Sequence, residues 1–295
     1  MPTKHLAIGA DIGGTHITAA VVDLQKRSII PGTETRAKVN AHASVEEIVE
    51  SWSDAINKTK GNFDITSIGL AIPGPFDYEA GICLIKNQDK YETLYKRNVK
   101  ELLSEKLVLK PENIKLINDA AAFLDGEVFC GAATGCHKAV GITLGTGLGS
   151  CIHENGSSTD ADLWQMPFRN GIAEDYLCTR WFTRRFEEIS GEKTCGVSEI
   201  ITKLEDNAHV QPLFTEFGIS LGEFLLEFLA LSNTEIIVIG GNISKSFSLF
   251  EKTLMETIHR KNPSVQVKIA RLGEEAALLG AASHTMLSSP ERVQE

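Results

Sequence analysis

The chain has 295 residues, enough to bury a large core and to form two domains of ordinary size, and its 42% hydrophobic and 23% charged residues are the proportions of a globular protein. Its net charge of −10 argues against a nucleic-acid-binding surface, which needs clustered Lys and Arg, but does not exclude a nucleotide held by backbone N–H groups and a bound metal. No apolar run reaches membrane-spanning length, and the six cysteines (Cys83, Cys130, Cys136, Cys151, Cys178 and Cys195) form no Cys-x-x-Cys pair, so neither a membrane partner nor a disulfide is expected, and reduced thiols suit a cytoplasmic protein.

Met1–His5 lead straight into a strand pattern, so no signal peptide is expected. Strand patterns follow at 6–11, 16–24 and 27–38. The first two flank Asp11-Ile-Gly13-Gly14-Thr15, a tight turn expected to need glycine for positive φ and for close approach of a ligand. Thr15 offers a hydroxyl and Asp11 a carboxylate to the same spot, the parts of a phosphate and metal cradle. No lysine precedes the threonine and a strand rather than a helix follows, which excludes both a Walker loop and a dinucleotide fingerprint.

Ser44-Val-Glu-Glu47 is a capping-box signal for a helix carrying Val45, Ile48, Val49, Trp52 and Ile56 at helical spacing. A β-rich run, 65–72, ends in Pro73-Gly74-Pro75. Helical signal near 98–107 precedes a short strand, 114–117, tipped by Asn118-Asp119, and a helix at about 120–132. Ala139–Leu144 then runs into Gly145-Thr146-Gly147-Leu148-Gly149 and a strand at 150–153, repeating the opening arrangement. Helices are expected at about 173–189, 197–206, 216–231, 244–260 and 275–287, interrupted by strands at 235–239 and 265–270. Two such hairpins suggest a duplicated α/β unit with both turns facing one interdomain cleft, a favoured place for a ligand. The expected lobes are 1–119 and 120–274, with a C-terminal helix at about 275–290 returning to the first.

Four blocks in order resemble the ROK family of sugar kinases, within the actin, hexokinase and heat-shock-chaperone superfamily: Asp11-Ile-Gly-Gly-Thr15, Ile117-Asn-Asp119-Ala, Leu144-Gly-Thr-Gly-Leu-Gly149 and Ile236-Ile-Val-Ile-Gly-Gly-Asn242. The resemblance implies a two-lobed, ribonuclease-H-like α/β fold and transfer of the γ-phosphoryl group of ATP to a hexose hydroxyl, chemistry that depends on positioning and charge neutralisation. It implies that Gly13, Gly14, Thr15, Gly145, Thr146 and Gly147 bind the phosphates, and that Asp11 holds Mg2+ through water. Gly240, Gly241 and Asn242 would lie against adenosine, or else form a plain strand-to-helix turn capped by Ser244.

Asp119 is the candidate general base, with an N-cap of the following helix as the alternative. For the sugar the resemblance points to Gly74, Asn87, Asn118, Asp119 and Glu174, and Gln165, which stands in place of a family residue, is a further candidate for a hydroxyl. Asn87 also reads as an ordinary loop residue, and Glu174 as a first-turn helix carboxylate. The chain departs from the family at Asp162-Leu-Trp-Gln165, where relatives carry Glu and His, and it lacks their zinc-loop cysteines. No zinc is therefore expected, and Trp164, Met166 and Phe168 are expected to hold this loop by apolar packing. Glucose phosphorylated at its 6-hydroxyl leads; an N-acetylhexosamine (N-acetylmannosamine or N-acetylglucosamine) or fructose stands second. A non-catalytic sugar-binding regulator is the reading from another class. A homodimer is implied by analogy alone.

Overall fold

The computed structural model describes residues 5–88, 90–234 and 236–286. In chain order the elements are β1 (Leu6–Ile12), β2 (His16–Asp23), β3 (Ser28–Ile29), β4 (Thr35–Lys38), α1 (Val45–Lys60), β5 (Ile68–Ile72), β6 (Phe76–Asp77), β7 (Ile82–Cys83), α2 (Val99–Leu107), β8 (Ile114–Asn118) and α3 (Asp119–Cys130). The second half holds β9 (Ala139–Leu144), β10 (Leu148–Glu154), β11 (Ser157–Asp160), β12 (Pro167–Phe168), β13 (Gly171–Ile172), α4 (Thr179–Ser190), α5 (Val197–Thr202), α6 (Val210–Ser232), β14 (Ile236–Gly240), α7 (Phe247–His259), β15 (Gln266–Ile269) and α8 (Glu275–His284). The expectations for residues 1–4, for Glu235 at the start of a strand, and for 287–290 at the end of the last helix lie outside the described residues.

Contacts divide the chain into one unit reaching Gly135 and resuming at Glu274, and a second unit, Cys136–Gly273. The sheet of the first runs β3-β2-β1-β5-β8 and that of the second β11-β10-β9-β14-β15. In each, an antiparallel hairpin (β1–β2, β9–β10) supplies the strand that pairs in parallel with the next (β5, β14), which pairs in parallel with the last (β8, β15). The duplication suggested by the two glycine-threonine turns is thus present in five strands of each sheet, with β4 added beside β2 in the first. β5 is buried at every residue and β14 at four of five, which is why both read as unbroken apolar runs rather than alternating patterns.

In the first unit Ile8, Ile12, Ile17 and Val21 meet Ile48, Val49, Trp52 and Ile56 of α1 in one core cluster. Helix α1 begins where its sequence says, with Ser44 and Glu47 forming a complete capping box. Helix α8 lies against β1 and β5, where glycines leave room: a Cβ at Gly69 would stand 1.7 Å from the Ala281 carbonyl oxygen, and one at Gly9 1.9 Å from that of Leu278. The second core is dominated by phenylalanine, with Phe182, Phe214, Phe217, Phe224, Phe228 and Phe250 fully buried.

Several expected elements shift. The strand expected over 27–38 is two short pieces separated by a turn at Gly32, whose φ is 78°. The helix expected from 173 begins at Thr179, preceded by a single 3-10 turn at Ala173–Asp175.

Candidate functional site

Strand β1 of the first unit delivers Asp11 to its carboxyl end, and the hairpin closes with the Gly13 amide donating to the His16 carbonyl at 2.8 Å. Gly13, Gly14 and Thr15 are exposed. Neither glycine has the positive φ that turn chemistry led us to expect. What they provide is space: a Cβ on Gly14 would meet nothing within 4 Å, and one on Gly13 only the His16 carbonyl oxygen at 3.6 Å. Tyr91 supports the turn from beneath, its hydroxyl donating to the Gly13 carbonyl at 2.5 Å. The ring is fully buried edge-on to Trp52, and burial pushes the phenol up to about 12, which keeps it a donor. The Thr15 hydroxyl lies 2.9 Å from His16 Nδ1.

Register sets Asp11 opposite Thr18 and Thr18 opposite Arg36, so the three side chains share one face of the sheet. Arg36 pairs with Glu274, just before α8, at 3.7 Å. Burial, and next the negative charge of Asp119, push the Asp11 carboxyl up to about 6, while Arg36 pulls it the other way.

Asp119 follows β8 directly. Capping of α3 falls to its neighbour: Asn118 Oδ1 accepts from the amides of Ala120 at 2.8 Å and Ala121 at 3.2 Å. Asp119 is left as the exposed first residue of the helix, with Oδ1 2.9 Å from the Ala120 amide. Asn118 is 6% exposed, and its Nδ2 donates to the Tyr78 hydroxyl at 3.3 Å, so little of this amide remains for a sugar. Gly74 belongs to the same cluster, since a Cβ there would stand 2.8 Å from the Tyr78 hydroxyl. Asn87 is exposed, in a loop, with φ 57°.

In the second unit Gly145 and Gly147 also lack positive φ; a Cβ on Gly145 would meet nothing within 4 Å, and Thr146 is exposed. The left-handed glycine here is Gly241, at φ 84°, where a Cβ would stand 2.3 Å from the Leu144 carbonyl oxygen. That close approach brings Gly240, Gly241 and Asn242 beside the residue preceding the turn. Ser244 is no cap: its hydroxyl donates back to the Gly241 carbonyl at 2.8 Å. Asn242 is exposed and accepts from Lys245 Nζ at 2.9 Å.

Glu174 reaches this same turn. Its Oε2 accepts from the Leu148 amide at 3.1 Å and its Oε1 from Arg180 Nη2 at 3.2 Å. Thr179, the first residue of α4, donates to the Gly145 carbonyl through both its amide and its hydroxyl, each at 2.8 Å. Gln165 stands apart, exposed at the end of a 3-10 turn. Trp164, expected to pack inward, is 38% exposed and donates to Asp162 Oδ1 at 2.7 Å. Leu163 takes its place against the core, alongside Met166 and the buried Phe168. Tyr91, Tyr78, Thr179 and Arg36 were missed in sequence. Of these only Thr179 carried a local signal, a hydroxyl residue opening a helix.

A cavity of about 760 Å³ in the second unit, lined by Phe168, Arg169, Glu223 and Lys261 among others, includes none of the expected catalytic, nucleotide or sugar residues. A shallow phosphate cradle requires bare backbone at a turn rather than an enclosed volume. Among the described residues no His, Cys, Asp and Glu side chains gather to coordinate a metal directly. The residues nevertheless fit a hydrated cation and a phosphate chain, because burial and the neighbouring charge of Asp119 raise the cost of ionising Asp11 and a water-clad Mg2+ would relieve it.

Together the paired sheets and their turns define an α/β fold of the actin-like ATPase class. A hexokinase of this type from Thermus thermophilus superposes with a TM-score of 0.79 at 21% identity, covering 94% of this chain and 97% of that one. A Streptomyces griseus glucokinase in complex with glucose and AMPPNP gives 0.74 at 23%, covering 95% and 98%. In sequence, an N-acetyl-D-glucosamine kinase of Salmonella heidelberg is 25% identical over 93% of this chain and 97% of its own length. The ROK family model matches residues 7–160 and 169–286, and the chain belongs to the ROK family. The match breaks at the segment where the sequence departs from the family pattern.

Proposed function

We propose that this protein is an ATP-dependent sugar kinase that transfers the γ-phosphoryl group to a hexose hydroxyl, the 6-hydroxyl of glucose first. The observation that carries the reading is the division of labour at the end of β8: Asn118 caps the helix, which leaves the Asp119 carboxylate exposed beside Asp11. In this reading the sugar hydroxyl attacks the γ-phosphorus, the new O–P bond forms as the bond to the ADP oxygen breaks, and Asp119 takes the hydroxyl proton. Gly13, Gly14, Thr15, Gly145, Thr146 and Gly147 offer amides and hydroxyls to the phosphates; Gly240, Gly241 and Asn242 lie against the nucleoside. Asp11 holds Mg2+ through water, and the ion supplies charge neutralisation on the phosphates. Gly74, Asn87 and Gln165 are assigned to the sugar, and Asn118, committed to the cap and to Tyr78, shapes the site beside them.

The curated relatives, named as N-acetyl-D-glucosamine kinases, favour that sugar as a second acceptor. A coupled ADP-release assay over glucose, mannose, fructose, N-acetylglucosamine and N-acetylmannosamine tests both. Turnover with glucose or an N-acetylhexosamine is the expected result. Absence of turnover with every sugar, together with direct sugar binding, would replace the kinase by a sugar-binding regulator. Cytoplasmic location and a homodimer are part of the same proposal; no described helix is long and apolar enough to cross a membrane.

A further inference from the structure

Both glycine-threonine turns treat their leading glycine alike. The Gly13 amide donates within its own turn to the His16 carbonyl at 2.8 Å, and the Gly145 amide to the Gly147 carbonyl at 3.1 Å. Each leading carbonyl is then taken by a hydroxyl from a distant segment: Gly13 by Tyr91, and Gly145 by Thr179, which adds its amide. A trans peptide is planar, so its carbonyl and the next residue's N–H point to opposite sides. Holding the Gly13 carbonyl towards the buried Tyr91 therefore turns the N–H of the exposed Gly14 away from the core. Holding the Gly145 carbonyl towards Thr179 turns the N–H of the exposed Thr146 away from α4.

Tyr91 is more than a core residue. Its ring is fully buried edge-on to Trp52, a packing role that phenylalanine would also fill. Its backbone sits at φ 55°, a left-handed conformation that bulky residues rarely adopt and that persists only where the surroundings impose it. Here they do: the Tyr91 amide donates to the Ala41 carbonyl at 2.8 Å, and the Tyr91 carbonyl accepts from the Leu94 amide at 3.0 Å. What the hydroxyl adds is its bond to the Gly13 carbonyl. That bond acts on a glycine-glycine peptide, which has no Cβ on either side to resist rotation of its plane. A flipped plane would present a carbonyl oxygen, with its partial negative charge, to an incoming phosphate.

We infer that Tyr91 is a positioning residue of the phosphate site: through Gly13 it locks the Gly13–Gly14 peptide so that the Gly14 amide meets a phosphate oxygen of the nucleotide, and Thr179 does the same for Thr146. The inference rests on the reading of both turns as phosphate turns. It gives each turn one backbone amide already aimed at an anion.

Tyr91→Phe keeps the ring and removes the bond. Titrated with AMPPNP and Mg2+, this variant is expected to bind about fivefold more weakly than wild type, the scale of one neutral hydrogen bond, while adenosine and glucose bind within about twofold. Thr179→Val should lose less, because the Gly145 carbonyl keeps the amide of residue 179. A spectroscopic readout separates positioning from packing. The sequence holds two Gly-Gly bonds, 13–14 and 240–241, so protein labelled with 13C and 15N in glycine alone gives two carbonyl-to-amide correlations by NMR. The Gly14 signal should shift when AMPPNP is added to wild type. In Tyr91→Phe it should move or broaden before any ligand is added, with the Gly241 signal unmoved.

Unchanged AMPPNP affinity in Tyr91→Phe, or a wild-type Gly14 signal that ignores bound nucleotide, would overturn the inference. Equal weakening of adenosine and AMPPNP would assign Tyr91 to the fold rather than to the phosphates, and overturn it as well. A wild type that binds sugar but no nucleotide would remove the kinase reading along with this inference, so the two failures are distinguishable. Thermal melting of each variant guards against unfolding; if Tyr91→Phe fails to fold, the wild-type Gly14 signal and Thr179→Val carry the test.

Discussion

The two units share a strand order and differ in what surrounds the turn that each strand order creates. In the first, four residues (13–16) lie between the paired Ile12 and Ile17; in the second, three (145–147) lie between Leu144 and Leu148. The first turn rests on a buried phenol, Tyr91, beneath Gly13, whereas the second is held by Thr179 and by the partly exposed pair Glu174–Arg180. The position two residues before the leading glycine is Asp11 in one unit and Thr143 in the other. Duplication thus supplied two glycine-threonine turns, while a carboxylate precedes only one of them. Asp11 and Asp119 stand at the carboxyl ends of β1 and β8 in the first unit; β15, the counterpart of β8, ends at Ile269.

The largest expected effect tests that asymmetry. Asp119→Asn should lower kcat by about 10²-fold or more, the usual scale of general-base assistance, while sugar binding persists. Because Asn118 supplies the cap, the change should leave the melting temperature nearly unmoved, which separates a catalytic loss from a structural one. A variant that keeps near-normal turnover would strip the first unit of its special role.

Next comes Asp11, whose partly buried carboxyl is pushed up to about 6 from 3.8. A carboxyl raised in the folded state binds its proton more tightly there than in the unfolded chain. Stability is therefore favoured below pH 4 and lost as pH rises towards 6. The shift corresponds to at most about 3 kcal/mol, the conversion being about 1.4 kcal/mol for each pH unit. Asp11→Asn, free of that penalty, should melt higher than wild type at pH 7–8, with the difference closing below pH 4. Equal melting temperatures at neutral pH would show that the carboxylate is not strained in the metal-free protein.

What the sequence disclosed follows from how local each signal is. The two glycine-threonine turns, the capping box at Ser44 and Glu47, and the apolar runs of β5 and β14 are written in contiguous residues, and each falls where its pattern says. The partners of Glu174 were not legible, because Leu148 is 26 residues away and the identity of an acceptor says nothing about which amide it meets. Trp164 misled for the opposite reason. Its size argues for burial, but a neighbouring acceptor, Asp162, satisfies its indole N–H at the surface, and Leu163 fills the core. The seat of α8 was hidden as well, since Gly9 and Gly69 look like weaknesses in strands until a helix backbone is found against them.

Glycine itself gives the finest contrast, and the smallest effects. At Gly69 an added methyl collides with the α8 backbone, so Gly69→Ala should cost about 1–3 kcal/mol, the range for overpacking. At Gly14 and Gly145 the same methyl meets open space and neither residue needs a left-handed φ, so each Ala variant should stay within about 0.5 kcal/mol of wild type. If the bare backbone of both turns exists to admit phosphate, those two variants should nonetheless weaken nucleotide binding, because the methyl occupies the ligand's place and not the protein's. Denaturant melts paired with AMPPNP titration read both quantities on one sample. Undiminished nucleotide binding in both variants would mean that the glycines serve the hairpins alone, and that the matching turns reflect shared ancestry of the sheets without shared function.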